Sequence, residues 1–431
     1  MDATYHRTIH EIYALQEFAI KLGLENITAL CQILGQPHKR YPIIHLAGTN
    51  GKGSTAFFLA AFLQAHGLKA GLFTSPHLRD YRERIRVNDQ WIEPEFVVQF
   101  WQSHKNDILR RKATFFDTTT AMGFAYFARK EVDVAVIETG LGGRLDSTNI
   151  VQPREVVLTP IDFDHQKQLG NTLSSIAREK AGIIKKGAPI FCAPQPEEAL
   201  QVFLRAAAGN PFHYLPHAAE ISLHKESLDE MTFEVVFREN HEKHVFVSKQ
   251  VGDFQAWNMT LAMLAARHFL QQQGIVWNQK KVAEVLQSKI WPARLQTIRR
   301  EPRIIFDVSH NLQGIRRTLR FVQRVAPEKQ IILLLGLIET KDYGAIVSYL
   351  KEKNLNIWVT EPNISKKLPA TVLENEFRRQ GVAARCVEKP RIALQQIAEK
   401  QKSSELLIVL GSHYLIGDLL NDASLMRALK K

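Results

Sequence analysis

The sequence is poor in cysteine and has no long apolar segment. Its three cysteines, Cys31, Cys192 and Cys386, form no CxxC pair, which argues against a disulfide framework and against a zinc site. No apolar run approaches the about 20 residues needed to cross a bilayer, and the segment from Met1 to Tyr13 lacks the apolar centre of a signal peptide. We therefore expect a cytoplasmic protein without a membrane partner.

A concentrated basic region is also missing. Lysine and arginine exceed aspartate and glutamate by 56 to 44, which gives a formal net charge of +12. The positive residues are spread along the 431-residue chain and form neither a basic tail nor a stripe interleaved with aromatic side chains. Because tracking a nucleic-acid backbone needs a concentrated positive groove, a nucleic-acid partner is disfavoured. Small acidic substrates explain the excess more simply.

One glycine-rich segment carries the clearest chemical signal. It is Gly48-Thr49-Asn50-Gly51-Lys52-Gly53-Ser54-Thr55, and it joins a strand-like apolar run to an apolar-periodic helix. Its glycines let backbone N–H groups turn towards an anion, the helix presents its positive end, Lys52 can reach outer phosphates, and a hydroxyl can bind Mg²⁺. The spacing departs from the common phosphate-loop pattern, because Gly48 lies three rather than five residues before Gly51. The segment predicts a nucleotide-phosphate site at residues 48–55.

Strand-like apolar runs alternate with helical patterns along most of the chain. The first series of predicted strands comprises Ile43–Ala47, Ala70–Phe73, Val132–Glu138, Val156–Thr159 and Pro189–Cys192. From about residue 211 to 248, short alternating segments predict antiparallel strands instead. A second β/α series begins after the basic, proline-containing segment near Arg299–Arg303, and we place a domain boundary at about residue 298. The pattern predicts an α/β protein with mainly parallel sheets covered on both faces.

Polar residues follow three of the predicted strands, where ligands of open parallel sheets bind. Ser75 either faces a metal ion or caps a turn, and the turn is the commoner role. Glu138 ends a buried strand, which is the usual position of a carboxylate that holds the Mg²⁺ of a nucleotide. His165 follows Asp164 and is a reasonable metal ligand there. Lys180, by contrast, lies in the middle of a predicted helix, and because lysine is seldom buried it is expected to be a solvated side chain.

The second series repeats this arrangement. Asp307 and His310 follow one predicted strand, Ser412 and His413 follow another, and Lys341-Asp342 follow a third. These clusters predict a second ligand-binding edge.

Taken together, these residues resemble the folylpolyglutamate synthase/dihydrofolate synthase family, a branch of the Mur ligase superfamily. The resemblance runs from about Gly23 to Gly417. It rests on Leu22-Gly23-Leu24-Glu25-Asn26-Ile27, the loop at 48–55, Thr74-Ser75-Pro76-His77, Glu138-Thr139-Gly140-Leu141-Gly142-Gly143, Asp146-Ser147-Thr148-Asn149, Asp164-His165 with Leu169-Gly170, Glu179-Lys180-Ala181-Gly182-Ile183-Ile184-Lys185, Trp291-Pro292-Ala293-Arg294-Leu295, Asp307 with His310-Asn311, Lys341-Asp342 and Gly411-Ser412. It implies a P-loop ATPase-type domain over 1–298 and a Rossmann-like glutamate-ligase domain over 299–431.

The resemblance also implies roles for individual residues on the nucleotide side. Lys52 and the loop amides would bind the phosphates of ATP. Two Mg²⁺ ions would be coordinated by Ser75, Glu138 and His165, and a monovalent cation is a further expected ligand. Lys180 matches the lysine that the family carries as a carbamate, which contradicts the solvated position expected from its residue type.

Other implied roles concern the second series and the acceptor. Asn258 and Arg294 match contacts to the adenine and phosphate sides of ATP, to which Asp307 also contributes. Asp307 and His310 match residues near the transferred phosphate and the incoming amino acid. The remaining substrate-binding predictions are Phe116, as a stacking partner on the pterin side, Asp146 and Ser412. We expect a monomer.

The resemblance implies that ATP activates a carboxylate as an acyl phosphate, which L-glutamate converts to an amide. The acceptor stays open between dihydropteroate and a folate that already bears glutamate. A different Mur-type ligase of peptidoglycan synthesis is an alternative, although only 47 residues precede Gly48 where such enzymes carry a UDP-binding domain. A nucleotide-binding regulator without catalysis is another. Phe254, Ser309, Leu312 and Glu339-Thr340 depart from the family pattern and bear on fine specificity.

Overall fold

The computed structural model describes residues 3–15 and 23–429. In chain order, strands β1 to β17 are Ile43–Ala47, Ala70–Phe73, Ile85–Val87, Gln90–Trp91, Val134–Glu138, Glu155–Leu158, Ile190–Cys192, Phe212–Tyr214, Ala219–Glu226, Met231–Phe237, Glu242–Ser248, Gln296–Arg299, Arg303–Phe306, Gln330–Leu335, Asn356–Val359, Ala384–Cys386 and Glu405–Leu410. Helices α1 to α17 are Ala3–Ala14, Glu25–Ile33, Lys52–Ala65, Pro94–Arg111, Phe115–Arg129, Gln166–Leu169, Leu173–Ala181, Glu197–Ala206, Leu215–Ala218, Asp253–Gln272, Gln279–Ser288, Leu312–Val325, Tyr343–Lys351, Ala370–Arg379, Pro390–Lys400, His413–Asn421 and Ala423–Leu429.

Strands β1 to β8 form one sheet in the order β4-β3-β2-β5-β1-β6-β7-β8. Strand β1 lies at its centre and pairs in parallel with β5 and β6. All five residues of β1 and of β5 are buried, as expected for parallel strands covered on both faces. Only the β2–β3 and β3–β4 pairs at one edge are antiparallel.

Strands β12 to β17 form a second sheet in the order β12-β13-β17-β14-β15-β16. It is parallel except for the edge pair β12–β13. Its core is aliphatic and includes the buried strands β14 and β17. The remaining strands form a three-stranded sheet in the order β11-β10-β9.

The chain divides into two compact units. One holds the described residues up to Glu220 with Val235–Lys243 and Trp257–Val285, and the other holds Ile221–Glu234, His244–Ala256 and the described residues from Leu286 onwards. The eight-stranded sheet belongs to the first unit and the six-stranded sheet to the second, while the residues of the small sheet are divided between them.

The predicted α/β class is confirmed, with a mainly parallel N-terminal sheet, a small antiparallel section and a C-terminal α/β sheet. The sequence pattern did not reveal β12, which continues the second sheet across the boundary expected near residue 298. Leu22, part of the first family-like segment, lies outside the described residues. Across the ranges that the structure covers, none of the helices combines the length and the apolar character needed to traverse a lipid bilayer.

Candidate active site

The predicted ligand edge of the first sheet is formed by four neighbouring parallel strands. Strands β2, β5, β1 and β6 lie side by side, so the loops after Phe73, Glu138, Ala47 and Leu158 emerge at the same edge. Parallel pairing therefore brings the phosphate loop, Ser75 and Glu138 to one edge, as the sequence predicts.

Two glycines allow the phosphate loop to pass close to its neighbours. A Cβ atom on Gly48 would lie 1.8 Å from Oγ1 of Thr159, which follows β6. Gly51 has a φ angle of +90°, and a Cβ atom there would lie 2.5 Å from Oδ1 of Asn258. Asn258 is buried and packs directly on the loop. Only glycine fits these two backbone positions without displacing a neighbour.

The loop is anchored through its own amides. The N–H groups of Thr49 and Asn50 both donate to the carbonyl oxygen of Pro160, at 2.9 and 3.2 Å. The hydroxyl of Thr49 also exchanges hydrogen bonds with the backbone of Asp162, at 3.1 Å each. Two of the predicted phosphate-binding amides are thus used for anchoring. The remaining N–H donors that can meet an anion are those at the start of α3, where the first helical turn has no intrahelical partners.

The first turn of α3 holds the other loop residues. Gly53, Ser54 and Thr55 are buried, whereas Lys52 is partly exposed. The Lys52 ammonium donates to the carbonyl oxygens of Gly48 at 3.0 Å and Thr49 at 3.3 Å. It also lies 4.0 Å from the carboxylate of Glu138. The side chain is therefore folded over the loop, beside the buried acid at the end of β5.

Glu138 and Ser75 are in direct contact. The N–H of Ser75 donates to Oε2 of Glu138 at 3.0 Å, and Glu138 is 3% exposed. The hydroxyls of Thr55 and Thr139 are also buried, and neither has a hydrogen-bond partner in the described part of the chain. Carboxylate and hydroxyl oxygens are the ligands that Mg²⁺ prefers, usually with phosphate and water oxygens completing the shell. These residues fit the Mg²⁺ that the resemblance implies.

His165 lies further along the same edge. It is the N-cap residue that precedes the short helix α6, has a φ angle of 51°, and its side chain is 42% exposed. Its N–H donates to the carboxylate of Asp164 at 2.9 Å. In residues 3–15 and 23–429, no group of three or more His, Cys, Asp or Glu side chains is arranged to hold a metal ion. The donor set seen here is therefore one carboxylate with hydroxyls, and metal binding by His165 stays a prediction.

Lys180 is buried, so the solvated position expected from its residue type is wrong. It is 4% exposed, and its ammonium donates to the carbonyl oxygen of Gly48 at 2.7 Å. Burial, and then the charge of Lys52, lower the pKa of Lys180 to about 7, although the nearby carboxylates Asp164, Asp146 and Glu138 oppose this shift. A lysine with such a pKa is substantially a neutral amine at physiological pH.

The loop after Glu138 is organised by Asp146. Its carboxylate accepts hydrogen bonds from the N–H groups of Gly140 (2.9 Å), Leu141 (2.7 Å) and Thr148 (3.0 Å) and from the Thr148 hydroxyl (2.5 Å). Burial raises the pKa of Asp146. Asp146 thus holds the shape of this loop, and a substrate contact by its side chain stays a prediction.

Phe116 packs against the same loop. A Cβ atom on Gly140 would lie 2.4 Å from Cζ of Phe116, so the ring covers the glycine directly. The ring also meets Phe73 edge to face, with centroids 6.1 Å apart. Phe116 is the second residue of α5, whose first turn is capped by Thr114 and Asp117. The loop and the start of α5 therefore fix the ring that the resemblance assigns to the acceptor.

In the second unit, Asp307 follows β13 and connects the segment before β12 with the segment after β13. Its carboxylate accepts from the N–H groups of Leu295 and Ser309, both at 2.8 Å, and the residue is 1% exposed. Arg294 is brought to the end of β13 by this link. His310 follows, and its Nδ1 lies 2.9 Å from the carbonyl oxygen of Val308.

The neighbouring strand β17 contributes Ser412 and a residue outside the predicted site, His413. Ser412 caps α16 by accepting from the N–H of Tyr414 at 3.1 Å. His413 lies beside both predicted residues, with its Nε2 3.3 Å from Nη2 of Arg294 and its ring 5.5 Å from that of His310. The feature of the sequence that could have indicated this role is the position of His413, directly after a predicted strand and next to the predicted substrate-binding residue Ser412.

Comparisons with known proteins place these features in a family. A model of the Mur ligase middle domain matches residues 46–266, and a model of the Mur ligase glutamate ligase domain matches residues 293–413. The dihydrofolate synthase/folylpolyglutamate synthase of Bacillus subtilis is 32% identical over 97% of this chain and 99% of its own length.

Solved structures agree with this. The folylpolyglutamate synthase of Mycobacterium tuberculosis in complex with ADP has a TM-score of 0.85 and 26% identity, over 97% of this chain and 98% of that one. A folylpolyglutamate synthase complex with AMPPCP and folate also has a TM-score of 0.85, with 28% identity over the same shares of the two chains.

Proposed function

Because the chain belongs to the folylpolyglutamate synthase/dihydrofolate synthase family of Mur ligases, we propose that it uses ATP to join L-glutamate to the carboxylate of a folate. The ligated carboxylate lies on the glutamate tail of the folate or, in a second activity, on dihydropteroate. The relative from Bacillus subtilis carries both activities in its name. ATP binding is supported by the complexes of similar enzymes with ADP and AMPPCP.

The first chemical step has to overcome charge repulsion. A carboxylate and a triphosphate repel each other, by about 4 kcal/mol for two unit charges 4 Å apart at an effective dielectric constant of about 20. Lys52 and Arg294 are the cations we assign to offset this repulsion. Mg²⁺, held at Glu138 and Ser75, would supply further positive charge at the phosphates. A carboxylate oxygen then attacks the γ-phosphorus, the bond to the β-phosphate oxygen breaks, and an acyl phosphate and ADP result.

The second step forms the amide. The neutral amine of L-glutamate attacks the acyl carbon, the bond to the phosphate oxygen breaks, and inorganic phosphate leaves. The nitrogen loses one proton, which passes to the departing phosphate or to water. We assign Asp307 and His310 to the transferred phosphate and the incoming amino acid. Ser412 is assigned to substrate binding. The buried position of Asp307 and its two backbone hydrogen bonds support a fixed geometry at this point.

One observation carries the proposal most directly. Two lysines, Lys52 and Lys180, converge on the carbonyl oxygen of Gly48 in the phosphate loop, and the carboxylate of Glu138 lies 4.0 Å from Lys52. A structural lysine would rarely be buried beside a second ammonium. We infer that the neutral amine of Lys180 attacks the carbon of CO₂, forms a nitrogen–carbon bond and releases one proton. The product is a carbamate, which would place an anion near the metal position. A pKa of about 7 supports this, because the neutral amine is the reactive form.

Further assignments follow from the same proposal. We assign residues 1–298 to ATP binding and 299–431 to glutamate ligation, which the ranges of the two matched family models support. Asn258 is assigned to the adenine side of ATP, and Phe116 to the pterin ring of the acceptor. The fixed position of the Phe116 ring against Gly140 supports a stacking role for Phe116.

The deciding experiment measures ADP release by the purified protein with Mg²⁺-ATP and L-glutamate. Dihydropteroate and tetrahydrofolate are compared as acceptors, and the product mass is followed. A gain of one glutamyl unit on both acceptors supports the bifunctional assignment, and a gain on tetrahydrofolate alone supports tail extension only. If neither acceptor gains mass or stimulates ADP release, the proposed function is wrong.

A further inference from the structure

The backbone around Arg294 is held in an unusual conformation. Its two neighbours, Ala293 and Leu295, have φ angles of 55° and 49°, in the left-handed region that residues with a side chain seldom adopt. Such conformations persist only where the surroundings enforce them, and they occur preferentially at functional sites.

Three hydrogen bonds enforce this conformation. The Gln250 amide donates to the carbonyl oxygen of Arg294 at 2.7 Å. The N–H of Ala293 donates to the side chain of Gln296 at 2.8 Å, and that of Leu295 donates to Asp307 at 2.8 Å. The main chain of Arg294 is therefore fixed at one position, and what remains to be fixed is the long side chain.

His413 contacts the end of that side chain. Nη2 of Arg294 lies 3.3 Å from Nε2 of His413. A guanidinium group has only donors, so Nε2 must be the acceptor and the imidazole proton must sit on Nδ1. His413 is thus neutral when this bond is made. A protonated imidazole would face the Arg294 cation and the nearby ring of His310.

The position of His413 is itself fixed by the fold. It is the first residue of α16, directly after the capping Ser412, and the positive end of a helix disfavours a protonated histidine. Gly411 precedes the cap with a φ angle of 121°, and a Cβ atom there would lie 2.5 Å from the carbonyl oxygen of Gly336. Strand β17 and the helix therefore deliver the imidazole to Arg294 with little freedom.

We propose that His413 is a positioning residue, which holds the guanidinium of Arg294 in the orientation that contacts the nucleotide phosphates. The proposal rests on the phosphate-side role assigned to Arg294 above. Arginine has a flexible side chain, and a fixed acceptor on one Nη atom removes part of that freedom before ATP binds. His413 acts through Arg294 and does not itself need to touch substrate.

The test is a double-mutant cycle with a rescue variant. His413→Leu removes the acceptor, His413→Gln keeps an acceptor oxygen on a side chain of similar reach, and Arg294→Ala removes the partner. Tyr414→Phe, an exposed neighbour on the same helix, is the control. Affinity for AMPPCP is measured by titration without acceptor, and kcat and KM for ATP are measured with the preferred acceptor.

We expect His413→Leu to weaken AMPPCP binding and raise the KM for ATP by about 5- to 10-fold, with a smaller change in kcat. His413→Gln should restore most of the affinity. In the Arg294→Ala background, His413→Leu should cause no further loss, because the interaction is already absent.

Two outcomes overturn the proposal: wild-type affinity in His413→Leu, or losses that simply add in the double variant. Thermal unfolding shows whether His413→Leu is misfolded. If it is, the result of His413→Gln decides: a folded His413→Gln variant that does not recover AMPPCP affinity also overturns the proposal. The proposed function is judged separately. If the wild type binds AMPPCP but ligates no folate, that function fails while the binding cycle still tests the link between His413 and Arg294.

Discussion

Lys52 and Lys180 donate hydrogen bonds to the same acceptor, the carbonyl oxygen of Gly48, at 3.0 and 2.7 Å. Two ammonium groups that share one oxygen repel each other. Burial first, and then the charge of Lys52, lower the pKa of Lys180, the more buried of the two, to about 7. The repulsion is tolerable only if one group is neutral, modified or compensated by anions. The arrangement thus couples the phosphate-binding lysine to the lysine that we propose to be carbamylated.

Replacing Lys52 by alanine should abolish ligation without unfolding the protein. The change removes a cation proposed to contact the transferred phosphate, so we expect kcat/KM to fall by more than about 100-fold. It also removes a like charge near Lys180, so the melting temperature should stay within a few degrees of the wild-type value. Steady-state ADP release and thermal unfolding measure the two effects. Lys39→Ala, at an exposed lysine, is the control, and near-normal turnover in Lys52→Ala would contradict the site assignment.

Replacing Glu138 by alanine should have a similar effect on activity for a different reason. The variant loses the buried carboxylate that contacts Ser75 and that we assign to Mg²⁺. We expect ligation to fall by more than about 100-fold and the Mg²⁺ concentration at half-maximal activity to rise. Magnesium titrations of wild type and variant measure this. An unchanged Mg²⁺ dependence would remove Glu138 from the metal site.

Lys180 should carry a carbamate that can be observed without an activity assay. Protein incubated with ¹³C-bicarbonate at pH 8 should show a carbamate carbonyl signal in its ¹³C NMR spectrum. The signal should be absent in Lys180→Ala and retained in Lys185→Ala, which removes a nearby lysine whose pKa is also lowered by burial. In Lys52→Ala the pKa of Lys180 should rise, so the signal at a fixed pH should weaken. A signal that survives in Lys180→Ala would assign the carbamate elsewhere.

The edge of the first sheet could be predicted because parallel strands end together. An acid at the end of one apolar run and a serine at the end of another were expected to meet, and Glu138 and Ser75 are joined by a 3.0 Å hydrogen bond. The geometry follows from strand order alone.

Lys180 shows where the sequence reasoning went wrong. Lysine is seldom buried, so its residue type outweighed its position. Yet Ile176, Ala177 and Ala181 are buried on α7, and Lys180 lies on the same stripe, four residues after Ile176. The helical spacing of the apolar residues therefore indicated that Lys180 is buried.

The contacts of β12 and His413 lie further beyond sequence reasoning. Strand β12, Gln296–Arg299, is polar and half-buried because it pairs only with β13 at the edge of its sheet, so it looked like a linker. His413 meets Arg294 across 119 positions in the chain. Such a contact depends on how two strands and a helix are placed, which no local pattern encodes.

Alanine at Gly140 should impair the acceptor site selectively. The new Cβ atom would lie 2.4 Å from Cζ of Phe116, so the ring has to move. We expect the KM for the folate acceptor to rise at least about 5-fold, while the KM for ATP changes less than about 2-fold. Gly344→Ala is the matched control, because its nearest neighbouring atom would be 3.7 Å away. Equal effects on both KM values would argue against a role for Phe116 in binding the pterin ring.

Glu155 should make the protein less stable as the pH rises towards 7. It is 2% exposed at the start of β6, and its Oε1 lies 2.7 Å from Nδ1 of His268, while its Oε2 has no hydrogen-bond partner in residues 3–15 and 23–429. Burial raises the pKa of Glu155 to about 7, and the hydrogen bond to Glu155 raises the pKa of His268. Two further titratable groups lie near this pair. The charge of Glu239 also raises the pKa of His268, and burial, followed by the charge of His268, lowers the pKa of His213.

The direction of this pH dependence follows from how many protons the folded and unfolded states bind. An unfolded chain loses the Glu155 proton near pH 4.5, whereas the folded protein keeps it until about pH 7, so the folded state binds more protons in this window and its stability falls as the pH rises. His268 acts in the same direction above pH 6.5. Glu155→Gln stays neutral throughout, so its stability relative to wild type should improve by on the order of 2 kcal/mol between pH 4.5 and 7. Urea unfolding at pH 5 and pH 7.5 measures this, with Glu198→Gln, at an exposed glutamate, as control. Parallel pH dependences in wild type and Glu155→Gln would show that Glu155 is ionised in the folded protein at both pH values.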